Sequence, residues 1–216
     1  MIVKQFVFNA FQENCYLVAD EETRHCAIID PGMNSAREMQ AVADYIGQSG
    51  FTLERVLLTH CHLDHVLGTG WLADVWPEVP IGGPVEDGER LPSAEMQSRM
   101  FGMPVAHKTV PLTANVNEGD RLKIGQIEVQ VYDIPGHSFH GLCYYLPSEG
   151  VLFTGDVLFC CSVGRSDFGP GFGCDGEALV DGIRCKLMSL PPETTIYPGH
   201  GPSSTIGQEI TYNPYI

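Results

Sequence analysis

The sequence predicts a mixed α/β fold in which helices cover the outside of two packed β-sheets. Two observations carry that expectation. Strand-type runs open the chain, helical patterns follow, and strands return before one last helix and strand. No GxGxxG follows the first strand, and the regular strand–helix alternation of a dinucleotide-binding domain is absent. With 216 residues and 44% apolar content, the chain can bury a large core as one domain spanning 1–216.

The elements follow in order. Ile2–Phe8, Cys15–Val18 and Cys26–Ile29 are short β-rich runs, and Asp30-Pro31-Gly32 is a turn. Ser35 caps a helix to about Gln48, with Met39, Val42, Ala43 and Ile46 on one face and Gly50 as its stop. Arg55–Thr59 reads as a buried strand. Residues 65–75 and 85–101 read as helices joined through Pro77–Pro84. Strands are expected at 110–112, 122–132, 142–146 and 151–153. Residues 157–174 form a glycine-rich loop, Asp175 or Gly176 starts a helix ending at Leu190, and Thr195–Tyr197 is a last strand.

Composition narrows the function. Twelve basic against 27 acidic residues give a net charge of −15, which argues against nucleic-acid binding and against docking on an anionic membrane. No apolar run is long enough for a membrane span, and Met1 to Asp20 lacks the pattern of a signal peptide. The expected setting is therefore cytoplasmic, with the eight cysteines as buried free thiols. They form no CxxC pair. Oligomeric state leaves no sign in the sequence.

The chemistry concentrates in Thr59-His60-Cys61-His62-Leu63-Asp64-His65, which has the pattern HxHxDH. Alternation puts His60 and His62 on one side of an extended segment, where two imidazoles suit one divalent metal. Asp64 and His65 enter the next helix and can face a second ion. A single histidine is more often a satisfied core residue, but four such groups in a tight loop need partners. Three further apolar runs also end in a small turn and then a candidate ligand. They are Val131 to Gly136-His137, Val151 to Gly155-Asp156, and Ile196 to Gly199-His200. Glycine lets the backbone turn sharply and approach an ion closely.

These motifs resemble the metallo-β-lactamase superfamily over nearly the whole chain. The resemblance implies a four-layer αββα sandwich of two mixed sheets flanked by helices. It implies that His60, His62 and His137 bind one metal, that Asp64, His65 and His200 bind the other, and that Asp156 bridges both. Asp156, with Asp64-His65, resembles the glyoxalase II branch. Val163-Gly164-Arg165-Ser166-Asp167 and the stretch from Gly199-His200-Gly201-Pro202 to Asn213-Pro214 are similar to short bacterial glyoxalase II-like hydrolases. The helical domain that binds glutathione in full-length glyoxalase II has no counterpart in these residues. The family's Gly-His-Thr-Pro-Gly is replaced by Gly136-His137-Ser138-Phe139-His140-Gly141, so Phe139 and His140 are candidates to reshape the pocket wall.

The implied activity is hydrolysis of a small-molecule thioester of the S-lactoylglutathione type by a hydroxide bridging two divalent ions, with Asp64 orienting it. Zinc leads as the metal, and iron and manganese accept the same ligands. Arg165 is a candidate contact for a substrate carboxylate, or else an internal partner of Asp167. A mononuclear iron persulfide dioxygenase, which the Thr59 to His62 and Gly164 to Phe168 segments also resemble, and a lactonase are the alternatives. Phosphodiester cleavage is disfavoured by the charge. A non-catalytic module is disfavoured by the complete ligand set.

Overall fold

The computed structural model describes residues 1–216. One sheet has the spatial order β1 (Ile2–Phe8), β2 (Glu13–Ala19), β3 (His25–Ile29), β4 (Thr52–Leu57), β5 (Ile81–Gly83) and β6 (Ala114–Asn115). Its first three strands are antiparallel, and β3 to β6 run parallel. The second sheet has the order β14 (Ser204–Thr205), β13 (Thr195–Pro198), β10 (Val151–Gly155), β9 (Leu142–Leu146), β8 (Ile127–Asp133) and β7 (Arg121–Ile124). β10 and β13 are parallel, and the other neighbours are antiparallel. A two-stranded hairpin, β11 (Leu158–Phe159) with β12 (Ser162–Val163), stands apart.

Side-chain alternation turns the two sheets into four layers. On β2, Tyr16 and Val18 face the second sheet and pack with Leu142, Tyr144, Val129 and Phe153. Cys15, Leu17 and Ala19 face the other way, onto Met39, Val42 and Ile46 of α1 (Ala36–Ser49). On the far side, Cys143, Tyr145, Leu152 and Ile196 pack under Leu179 of α6 (Gly176–Gly182) and its π-helical continuation Ile183–Leu187. Strands covered on both faces read as continuous apolar runs, and all seven residues of β2 are buried. Each fully buried Leu or Ile contributes roughly 1.5–3 kcal/mol.

Most expected elements are present, with local corrections. Ser35 caps α1 through Glu38 N, and Gly50 ends it in the left-handed region. Residues 65–75 split into α2 (Leu63–Val66) and α3 (Thr69–Val75), because Gly68 fits against Met33 and the Pro31 carbonyl where a Cβ cannot. Residues 85–101 split at Pro92 into α4 (Val85–Arg90) and α5 (Ala94–Phe101). The run 122–132 is a hairpin folded at Gly125-Gln126 rather than one strand. Residues 110–112 lie outside any strand, whereas the short β5 inside the supposed connector is paired. The glycine-rich loop hides β11, β12 and a 3-10 turn, and α7 (Ile206–Tyr212) follows β14. All eight cysteines are free, but only Cys15, Cys26, Cys61 and Cys143 are buried. No helix is long and apolar enough to cross a membrane.

The sheets are bonded directly at one edge. Leu142 N donates to the Thr59 carbonyl, and the buried Tyr144 hydroxyl donates to the Leu58 carbonyl. Tyr144→Phe leaves that carbonyl unpaired and should cost about 1–3 kcal/mol, read as a lower urea midpoint at unchanged slope.

Candidate metal centre

β8, β10 and β13 run in one direction, so their C-terminal ends share an edge of the second sheet, facing the loop that follows β4. That edge gathers all seven expected ligands. Donor atoms of His60, His62 and His137 lie within 4.8 Å of one another, as do those of Asp64, His65 and His200, and those of His60, His65 and Asp156. Asp156 Oδ2 is 3.5 Å from His137 Nε2 and 3.4 Å from His200 Nε2, while its Oδ1 is 3.4 Å from His65 Nε2. Asp64 Oδ2 is 3.2 Å from His200 Nε2. Asp156 therefore stands between the two groups of three.

The backbone admits this crowding only through missing side chains. A Cβ on Gly199 would run into Asp156 Oδ1 and His65 Cε1. Gly155 adopts φ +48°, and a Cβ there would strike Thr59.

The residues present fit a bound metal. His60 Nε2, His65 Nε2 and Asp156 Oδ1 are buried without a hydrogen-bond partner. Buried polar groups are ordinarily satisfied, so three such orphans aimed at one point mark a place for a cation. On His137, His200 and His60 the second ring nitrogen is engaged. His137 Nδ1 meets the Arg165 carbonyl at 2.7 Å, His200 Nδ1 meets the Phe11 carbonyl at 3.1 Å, and His60 Nδ1 meets Thr59 Oγ1 at 3.0 Å. Such partners set the tautomer and aim the free nitrogen at the centre.

Electrostatics agree with the geometry. Burial, reinforced by neighbouring imidazoles, holds His60 well below its ordinary pKa and takes His62 down to about 3. Burial opposes charge on His200 too, but Asp156 and Asp64 outweigh it and lift that imidazole to about 10. His65 is raised in the same way by Asp156, Asp64 and Asp30. For Asp156 burial is outweighed by His65 and His200, which hold it well below the usual carboxylate range. Protons on His65 and His200 thus occupy the role a cation would take.

Several supporting residues gave no sequence signal. Asp87, fully buried on α4, accepts from Cys61 N, Ser138 Oγ and His140 N, tying the HxHxDH loop to the His137 loop. Asp30 accepts from Thr59 N and Oγ1 and faces His65 Nδ1 at 3.1 Å. Gln97 on α5 accepts from Leu63 N and donates to the Cys61 and Pro92 carbonyls. Glu13 is wholly buried behind the centre, and burial lifts its carboxyl well above the usual range.

A cleft of about 320 Å³ opens onto the centre, walled by Phe11, Phe101, Phe159 and Phe168. Arg165 stands at this cleft, paired through Nε and Nη2 with Asp167 and lying over Phe168. Phe139 and His140 are not part of the wall. Phe139 packs under Arg90, and His140 Nδ1 is 2.6 Å from Asp133.

Fold and site together define a β-sandwich protein with a candidate metal centre on its edge. The chain belongs to the metallo-beta-lactamase superfamily, whose family model matches residues 8–200. It is 35% identical over 212 residues to hydroxyacylglutathione hydrolase GloC of Haemophilus influenzae, covering 96% of this chain and 94% of that protein. Among solved structures it is similar to the BLEG-1 B3 metallo-beta-lactamase, with a TM-score of 0.87, 31% identity and 99% of each chain covered. It is also similar to TTHA1623 in a di-iron-bound form, with a TM-score of 0.83, 34% identity, and 99% of this chain and 100% of that chain covered.

Two outcomes follow. Asp87→Ala strands buried donors at about 1–3 kcal/mol each, and should lower both the melting temperature and the metal content after dialysis. In metal-free protein, the raised His65 and His200 stabilise the fold fully below their unfolded pKa of about 6.5, and that stability is lost as pH rises toward the folded value. The depressed Asp156 stabilises it above about 3.9, and that is lost on acidification. The depressed His60 and His62 act the other way, their contribution being full above about 6.5 and lost as pH falls, so metal-free protein should be most stable at roughly pH 6.5, and added zinc should restore stability at alkaline pH. Urea midpoints with and without chelator check this.

Proposed function

We propose that this chain is a dinuclear metal-dependent hydrolase of small thioesters of the S-lactoylglutathione type. The observation that carries this reading is the position of Asp156, within 3.5 Å of donors from both three-residue groups. His60, His62 and His137 would hold one divalent ion, Asp64, His65 and His200 the other, and Asp156 would reach both. Zinc is the leading metal, and iron and manganese suit the same donors. When bound, two such ions supply a water activated near neutral pH and a Lewis acid for the carbonyl.

The chain's own residues do the remaining work. Asp64 stays ionised, because His65 and His200 overcome its burial. Lining the cleft, it accepts a hydrogen bond from the attacking water and orients it. The four phenylalanines exclude solvent and hold the apolar part of the substrate. A thiolate leaves without needing a proton, which matches a wall that offers no dedicated acid. Arg165 keeps Nη1 free of its pair with Asp167 and would meet a substrate carboxylate there. The similarity to GloC, named a hydroxyacylglutathione hydrolase, supports the thioester over a lactone. The gathering of Asp64, His65 and His200 as tightly as the first three ligands supports two ions over a single iron.

Protein reconstituted with zinc, iron or manganese should hydrolyse S-lactoylglutathione faster than a lactone or a β-lactam, and should consume no oxygen with a glutathione persulfide. Asp156→Ala should lower kcat/KM at least about 100-fold, the loss of several kcal/mol of metal-assisted stabilisation. Arg165→Ala should raise KM about 5-fold with kcat little changed, since an exposed charged contact is worth roughly 1 kcal/mol. No thioester hydrolysis with any of the three metals overturns the proposal.

A further inference from the structure

A second cluster of ligating side chains lies outside the centre, at the turn of the β11–β12 hairpin. Phe159 pairs with Ser162, so Cys160 and Cys161 alone close the turn. Cys161 has φ +56°, a conformation that two-residue turns usually give to glycine or asparagine. Turn chemistry therefore does not account for a thiol at this position. Both sulfurs and a carboxylate oxygen of Glu209, on α7, lie within 4.8 Å of one another.

Glu209 supplies an independent observation. It is wholly buried, and its carboxylate is fixed by Cys161 N, Asn213 Nδ2 and Ser204 Oγ. No lysine, arginine or histidine forms an ion pair with it, although ion pairs occur elsewhere along the chain. Buried charges are ordinarily paired or bound to a metal, because hydrogen bonds alone compensate an ion poorly. Cys161 is exposed and Cys160 half-buried, so the turn is open to solvent.

We propose that Cys160, Cys161 and Glu209 form a third cation site, selective for a soft, thiophilic ion. Thiolate–metal bonds of about 2.3 Å let one ion span two sulfurs set this closely. Two sulfurs favour ions of the cuprous, cadmium or zinc kind, whereas the main centre offers only imidazole and carboxylate. Binding replaces two S–H bonds with two S–metal bonds and releases both protons to solvent. Neither thiol is oxidised. The site also bears on the cleft. Phe159, adjacent to Cys160, lines the cleft with its ring 6.1 Å from that of His200, so a bound ion would brace that wall.

The test uses holoenzyme with its main centre filled by zinc, titrated with Cd2+ without oxygen. The main centre has no sulfur donor, so thiolate-to-cadmium charge-transfer absorption in the ultraviolet, read as a difference spectrum, reports the hairpin. The wild type should take up one additional Cd2+ per chain with that absorption, and two thiols should become protected from a disulfide-exchange reagent. The Cys160→Ser/Cys161→Ser double variant should lose both signals. Cys185→Ser, at the other exposed thiol, should keep them. No absorption in the wild type, or absorption that persists in the double variant, overturns the site. Glu209→Gln should bind Cd2+ more weakly, and unchanged affinity would remove the carboxylate from it. None of these readouts depends on hydrolysis, so they stand or fall apart from the activity proposed above.

Discussion

Burying imidazoles and carboxylates at one point is costly unless a cation compensates them, and the whole edge of this sandwich is organised around that cost. Asp156, His60, His62, His65 and His137 are almost wholly enclosed, yet several of their polar atoms have no partner in the protein. The apolar layers make the enclosure possible. Strands buried on both faces leave polar residues only at their ends, and three parallel-running ends of the second sheet meet the loop after β4 there. Chemistry sits at the edge because the sandwich interior has no room for unpaired charge.

Holding that edge requires a shell of residues that never reach the cleft. Asp87 accepts from Cys61 and Ser138 and Asp30 accepts twice from Thr59, joining the loop after β4 to the loops after β8 and β3. The direct bonds from Leu142 to Thr59 and from Tyr144 to Leu58 lock the two sheets within a few residues of His60. The result is a preorganised centre, carried mostly on strand ends rather than on long loops.

The sequence made much of this legible, for definite reasons. The HxHxDH run and the turn glycines before His137, Asp156 and His200 are local patterns, and each ligand expected from them lies at the centre. Gly199 shows why, since its missing Cβ is what lets Asp156 and His65 close up. Asp87 was not legible. It lies in a short surface-type helix among Glu86, Glu89 and Arg90, and only the three-dimensional approach of Ser138 and His140 gives it a role. The aromatic wall was hidden likewise, because Phe11, Phe101, Phe159 and Phe168 are far apart in sequence and share no period. Phe139 and His140 misled, since their place beside His137 suggests the cleft while their contacts run to Arg90 and Asp133. Boundary errors fell where a glycine had a tertiary reason, as at Gly68 and Gly125, or where a proline broke the helix locally, as at Pro92.

Occupancy of the centre is the point on which the proposed chemistry rests. The most direct measurement is anomalous diffraction from crystals of metal-loaded protein, collected across the absorption edge of the bound metal. Two peaks about 3.5–4 Å apart, with Asp156 within bonding distance of both, are the predicted result. A single peak at His60, His62 and His137, with Asp64 and His200 free of metal, would contradict it.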